Sequence, residues 1–98
     1  MAEKIIEIDN LYDKEFVRFY TKDSSIDFTH HSITTRVLNN ITKELIEAFD
    51  IPNYVHDRNN PQSKAFNYDI PANINSLKFV FSSNSTPVNL IEAVAFPV

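Results

Sequence analysis

Residues 28–49, FTHHSITTRVLNNITKELIEAF, decide the predicted fold of this chain. Their apolar side chains recur at helical spacing, which predicts one amphipathic helix. The predicted apolar stripe consists of Ile33, Val37, Leu38, Ile41, Leu45, Ala48 and Phe49. Thr29 is the expected N-cap, and Phe28 and Ile33 then occupy the two positions of a hydrophobic staple. The helix is expected to end before Pro52, because the residue that precedes a proline disfavours the α region.

The segments on either side of this helix alternate in the manner of β-strands. Residues 4–9 and 15–21 are predicted as two strands that pair as a hairpin. In the second strand, Phe16, Arg18 and Tyr20 share one face, whereas Val17 and Phe19 share the other. The aromatic and β-branched residues of this strand favour an extended backbone.

The C-terminal half of the chain predicts a polar loop followed by three further strands. Residues 53–64 have no periodicity and contain turn-forming residues, whereas residues 65–70 and 77–82 alternate. Residues 88–98 fit either a strand or a short helix that begins at Pro87, and we favour the strand. The predicted order is β-β-α-β-β-β. This is a single α+β domain over residues 1–98, with one helix packed on an antiparallel sheet of about five strands.

Composition excludes several classes of function. The chain of 98 residues has no Gly, so it lacks the glycine motifs that bind phosphates and dinucleotides, and no cofactor is predicted. It has no Cys, and a net charge of −4 argues against a nucleic-acid partner. No apolar run is long enough for a signal peptide or a membrane span, so a cytoplasmic location is expected. Without Gly, residues with positive φ must be Asn, Asp or another residue.

The histidines are the candidate residues for an enzymatic function. His30, His31 and His56, helped by Asp27 or Asp57, are the ligands that a metal-dependent or acid–base enzyme would use. Adjacent histidines rarely point the same way, and no HxxxH or HxH spacing is present. The sequence therefore favours no metal site and no catalytic residue, and keeps this enzyme as an alternative hypothesis.

The polar loop is the stronger candidate for contact with a partner protein. It contains an Arg, which is enriched at interface hot spots, among amides that adapt to a partner. The candidate partner-binding residues of the loop are His56, Asp57, Arg58, Asn59 and Asn60. Phe19 is added to them, because one helix covers only one face of a sheet and would leave Val17, Phe19 and Val80 for a second copy. A homodimer is therefore expected.

The favoured function is that of a small, non-enzymatic protein-binding domain that regulates or inhibits its partner. The chain has 11 Asn and 11 Ile against 3 Arg, a bias towards AT-rich codons that suggests a phage or mobile-element origin. A structural subunit of a larger assembly is a further alternative.

Overall fold

The computed structural model describes residues 2–21, 33–51, 56–57, 66–83, 88 and 91–97. These residues form eight β-strands. The strands are β1 (Ala2–Ile8), β2 (Lys14–Thr21), β3 (Ile33–Asn39), β4 (Leu45–Ile51), β5 (His56–Asp57), β6 (Phe66–Asp69), β7 (Leu77–Ser83) and β8 (Ile91–Pro97). Seven of them pair antiparallel, and the two-residue β5 pairs parallel to β2.

The strands form two sheets, which we name by their first strands. The β1 sheet has the order β1-β7-β3-β4. In the β2 sheet, β2 is central: β8 pairs with it from Lys14 to Thr21, and β6 pairs with it from Phe16 to Phe19. Because β8 occupies one edge of β2 as far as Thr21, β5 must pair with Tyr20 and Thr21 on the other edge. This is the edge on which β6 lies.

The two sheets pack face to face through aromatic side chains. The Phe19 ring of β2 meets the Phe79 and Phe81 rings of β7 edge-on, with centroids 5.2 Å apart in both pairs. Tyr68 of β6 lies edge-on to Phe79 and is stacked on Phe49 of β4. The buried core cluster consists of Leu11, Val17, Phe19, Ile33, Val37, Tyr68, Leu77, Phe79, Phe81, Val88 and Ile91. The architecture is a β-sandwich.

The predicted helix is wrong, and with it the α+β fold class. Residues 33–51 form a β-hairpin of β3 and β4 instead, and the part of the chain that the structure describes contains no α-helix. The error has a physical cause. Ile33, Val37, Ile41, Leu45 and Phe49 are spaced by four residues, which is close to the helical period of 3.6 and is also an even number that fits strand alternation.

Burial separates the two interpretations. Along β3, Ile33, Thr35 and Val37 are buried while Thr34 and Arg36 are exposed, which is alternation with a period of two. Two residues in the second half of the predicted stripe are not core, although Phe49 packs against the core cluster. Ile41 in the turn is 76% exposed and Leu45 is 54% exposed.

A single helical turn joins β3 to β4. The Lys43 N–H donates to the Asn39 carbonyl oxygen at 2.7 Å, and the Asn39 N–H donates to the carbonyl oxygen of Glu44 at 3.0 Å. The Asn39 side-chain oxygen accepts hydrogen bonds from the backbone N–H groups of Ile41 and Thr42. Lys43 has a φ of 65°, so the chain leaves the helical conformation there and returns as β4.

In this chain without glycine, every described residue with positive φ carries a Cβ. Three of them have positive φ: Asn10 (61°), Lys43 (65°) and Asn73 (66°). Two are Asn, the residue that tolerates the left-handed region best after Gly. All three lie in turns next to β1, β4 and β7, so the turns are made without glycine.

All five predicted strands correspond to strands of the structure, but the predicted pairing is wrong. The strands predicted at residues 4–9, 15–21, 65–70, 77–82 and 88–98 correspond to β1, β2, β6, β7 and β8. The predicted hairpin of the first two is wrong, because β1 pairs with β7 while β2 pairs with β6 and β8. The single sheet is also wrong: where a helix was expected to cover one sheet, the two sheets cover each other.

The turn at Lys43 gives a test of the hairpin. Lys43→Gly should leave the free energy of unfolding unchanged or raise it by up to about 1 kcal/mol, because glycine adopts positive φ without a Cβ clash. In a helix the same substitution would lower it by about 1 kcal/mol. Thr42→Gly is the matched control and should destabilise, since Thr42 does not have positive φ and its hydroxyl accepts from the Glu44 N–H. Urea denaturation measures both, and equal losses for the two variants would contradict the hairpin.

Candidate protein-binding face

Strand register places an aromatic and cationic cluster on the outer face of the β2 sheet. Because Val17 and Phe19 are buried between the sheets, Phe16 and Arg18 of the same strand point outward. Phe16 lies opposite Phe96 of β8. Arg18 lies opposite Val94 of β8 on one side and opposite Asn67 of β6 on the other. We call these residues the Arg18 platform: Phe16, Arg18, Asn67, Val94 and Phe96.

The two phenylalanines of the platform are stacked on each other. Their ring centroids are 5.2 Å apart and the ring planes differ by 17°. Both side chains are half-buried rather than covered. A partly exposed aromatic pair is unusual on the outer face of a sandwich sheet, where strand alternation normally places polar residues.

The Arg18 guanidinium is held against these rings. Its Cζ lies 5.3 Å from the Phe16 centroid and 4.8 Å from the Phe96 centroid, within the range of cation–π attraction. Its Nε–H donates to the Asn67 side-chain oxygen at 3.0 Å. Within the described ranges, these are the contacts of the guanidinium, and no carboxylate is ion-paired with it.

Arg36 on the outer face of the β1 sheet differs in this respect. Its Nη2 lies 3.7 Å from a carboxylate oxygen of Glu3, and both side chains are about half exposed. Such a surface ion pair contributes about 0–1 kcal/mol to stability. The two outward arginines therefore differ in their partners: a carboxylate for Arg36, and two rings and an amide for Arg18.

The structure separates the site residues that were predicted from the sequence. His56 and Asp57 were predicted as part of a loop, but their backbone pairs with β2 and forms the short strand β5. Arg58, Asn59 and Asn60 lie outside the described residues, as do His30 and His31. No three His, Asp or Glu side chains in the described ranges are grouped in a way that would hold a metal ion.

Phe19 does not lie on a free surface. Its side chain is fully buried in contact with Phe79 and Phe81, and Val17 is buried beside it. For these two residues, the face that was expected to remain uncovered is the inner face of the sandwich, and the β1 sheet covers it, whereas Val80 lies on the outer side of β7, in register with Ile5 and Arg36. The burial of Val17 and Phe19 therefore removes these two residues from the argument for a dimer.

The sequence predicts the two strand faces that form the Arg18 platform, but not that they lie side by side. Alternation placed Phe16 and Arg18 on one strand face, and the favoured strand at residues 88–98 placed Val94 and Phe96 on another. What brings them together is the β2–β8 pairing, which joins segments about 75 residues apart in the sequence. No local signal specifies that pairing.

A polar network at one end of the sandwich has a structural role. The Ser76 hydroxyl donates to the Asp9 carboxylate and accepts from the Asn40 side-chain amide at 3.1 Å. The Asn75 side-chain oxygen accepts from the Tyr12 N–H at 3.2 Å. These bonds tie together the turns that follow β1, β3 and β6. Ser76 is buried and already bonded on both sides, so we assign it to holding the turns rather than to chemistry.

Tyr68 links the two sheets by a hydrogen bond as well as by packing. Its hydroxyl donates to the Glu47 carboxylate of β4. Burial, which contributes most, together with the hydrogen bond to Glu47 and the negative charge of Glu47, raises the pKa of Tyr68 to about 12. The neutral phenol is therefore the form that the folded protein favours.

Comparison with known proteins gives no indication of function. No family model matches the chain, and comparisons with curated proteins and with solved structures likewise find no match. Across the described ranges, no helix is both long and apolar enough to cross a membrane. The fold and the Arg18 platform together define a small β-sandwich domain with an aromatic and cationic outer face.

The Tyr68–Glu47 bond predicts a specific pH dependence. Tyr68→Phe should lower the free energy of unfolding by about 1 kcal/mol near neutral pH, because the hydrogen bond to Glu47 is lost. The folded protein keeps the phenol proton that the unfolded chain releases above pH of about 10, so this stabilisation is present below that pH and is lost towards pH of about 12. The difference between the wild type and Tyr68→Phe should therefore shrink over this range.

Urea denaturation at a series of pH values measures the effect. Tyr12→Phe is the matched control, since Tyr12 is 73% exposed and its substitution removes a phenol that lies outside the core. A difference between the wild type and Tyr68→Phe that stays constant up to pH of about 12 would contradict the assignment.

Proposed function

We propose that this chain is a small, non-enzymatic protein-binding domain and that the Arg18 platform is its contact surface. The observation that carries the proposal is the stacked Phe16–Phe96 pair with a guanidinium held against it on an outward sheet face. Aromatic residues and Arg are enriched at the centres of protein interfaces, where they supply most of the binding energy.

The rigidity of the platform supports the same proposal. Its residues lie on the paired strands β2, β6 and β8, and Asn67 fixes the Arg18 side chain. Side chains that are already ordered lose less conformational entropy when they bind a partner. The predicted contact residues Arg58, Asn59 and Asn60 lie outside the described residues, and they remain proposed on sequence grounds alone.

The regulatory role, the phage or mobile-element origin and the cytoplasmic location belong to the proposal on sequence grounds alone. The high content of Asn and Ile relative to Arg supports the origin, and the absence of cysteine is compatible with a reducing compartment. We also propose self-association, but through a different surface from the one that the sequence predicted. A second copy would meet the Arg18 platform, since Phe19 lies inside the sandwich.

Affinity capture with two matched variants tests the proposed function. Phe96→Asp places a charge on the platform, whereas Ile5→Asp places one on the outer face of the β1 sheet, where Ile5 is 48% exposed. A partner captured from extracts of the native host by the wild type and by Ile5→Asp should be lost with Phe96→Asp. The physical reason is that a new carboxylate disrupts the aromatic contact and is costly to bury in an interface.

Two controls make the result decisive. Circular dichroism melts must show that Phe96→Asp is folded, and Phe96→Ala serves in its place if it is not. Sedimentation equilibrium distinguishes a foreign partner from a second copy, which would double the mass of 11.3 kDa in the wild type and in Ile5→Asp only. Capture that is unaffected by both platform variants would contradict the proposed function.

A further inference from the structure

We propose that the Arg18 platform recognises a single carboxylate side chain of its partner, an Asp or Glu flanked by apolar residues. This inference rests on the proposed function and specifies its chemistry. The charge on the platform is the starting point, because the Arg18 guanidinium is not ion-paired with any carboxylate of the described residues.

The geometry of Arg18 leaves donors for such a ligand. A guanidinium has five N–H donors, and among the described residues only the Nε–H has an acceptor, the Asn67 side-chain oxygen at 3.0 Å. The two Nη groups form no hydrogen bond or ion pair with another described residue. Their fork matches the two oxygens of a carboxylate, which is the geometry of the strongest charge-assisted hydrogen bonds.

The surroundings of Arg18 strengthen the interaction with a carboxylate. The guanidinium lies against Phe16 and Phe96, at 5.3 and 4.8 Å from the ring centroids, and pairs across the sheet with Val94. Apolar neighbours lower the local dielectric constant, so an ion pair formed there is stronger than one in water. The same rings and Val94 offer contact area to the apolar side chains that flank the acidic residue.

The charge balance favours one carboxylate over a nucleic acid. A phosphate would also fit the fork of Arg18, but a nucleic acid brings a row of charges and needs a basic surface. This chain has a net charge of −4, and Asp69 is exposed on the same sheet face, in register with Phe16. A ligand with a single negative charge, bound at Arg18, pairs with the cation and is repelled less by the acidic chain than a nucleic acid would be.

Nuclear magnetic resonance titration of the ¹⁵N-labelled chain tests the inference. The probe is the capped peptide acetyl-Leu-Glu-Leu-amide, and its neutral counterpart contains Gln in place of Glu. The Glu peptide should shift the Arg18 Nε–H resonance and the amides of Asn67 and Val94, and the Gln peptide should bind about tenfold or more weakly. Raising the salt concentration should weaken only the Glu peptide, because salt screens an exposed ion pair.

Matched arginine variants locate the effect. Arg18→Gln should abolish the preference for the Glu peptide, whereas Arg36→Gln, on the other sheet, should leave it unchanged. Equal binding of the two peptides, or no shift at Arg18, would overturn the inference. A larger response to oligo(dT) than to the Glu peptide would also overturn it, in favour of a nucleic-acid ligand.

The outcomes separate this inference from the proposed function. If partner capture is lost with Phe96→Asp but the peptides show no charge preference, the platform binds a protein by other contacts and only the inference fails. If capture is unaffected by the platform variants, the proposed function fails whatever the peptides do.

Discussion

The contact of Phe19 with Phe79 and Phe81 is the interaction on which the rest of the structure depends. It joins the central strand of the β2 sheet to β7 of the β1 sheet, and all three side chains are fully buried. A β-sheet with one apolar face needs another layer to cover that face. In this chain the second layer is another sheet, because residues 33–51 form a hairpin that extends the β1 sheet.

This contact also determines which residues are available for function. Successive side chains of a strand point to opposite faces, so the burial of Val17 and Phe19 turns Phe16 and Arg18 outward. The β2–β8 register then sets Phe96 beside Phe16. The Arg18 platform is therefore a consequence of how the core is packed. A slip of one residue in β2 would bury the arginine and expose Phe19.

The sequence predicts the local conformations of this fold better than their arrangement. Alternation in β1, β2, β6 and β7 is strong enough to identify strands, and even the faces of β2 follow from it, whereas the segment of β8 fits a short helix as well. The hairpin at residues 33–51 was misjudged because a spacing of four residues satisfies both a helix and a strand. The β-branched residues Thr34, Thr35 and Val37, and the adjacent Asn39 and Asn40, are the local signals that favoured a hairpin. The pairing of β2 with β8, which are far apart in the sequence, has no such local signal. The Arg18 platform depends on this pairing.

Cysteine accessibility tests the central claim, the two-sheet packing with strict alternation, most directly. The chain has no cysteine, so each single substitution reports on one position. Val17→Cys and Thr35→Cys place the thiol between the sheets, whereas Arg18→Cys and Arg36→Cys place it on the two outer faces. Under native conditions a thiol reagent should modify the Arg18 and Arg36 variants rapidly and the Val17 and Thr35 variants only at the rate of unfolding. Equal rates at neighbouring positions in folded protein would contradict the sandwich and the platform that it creates.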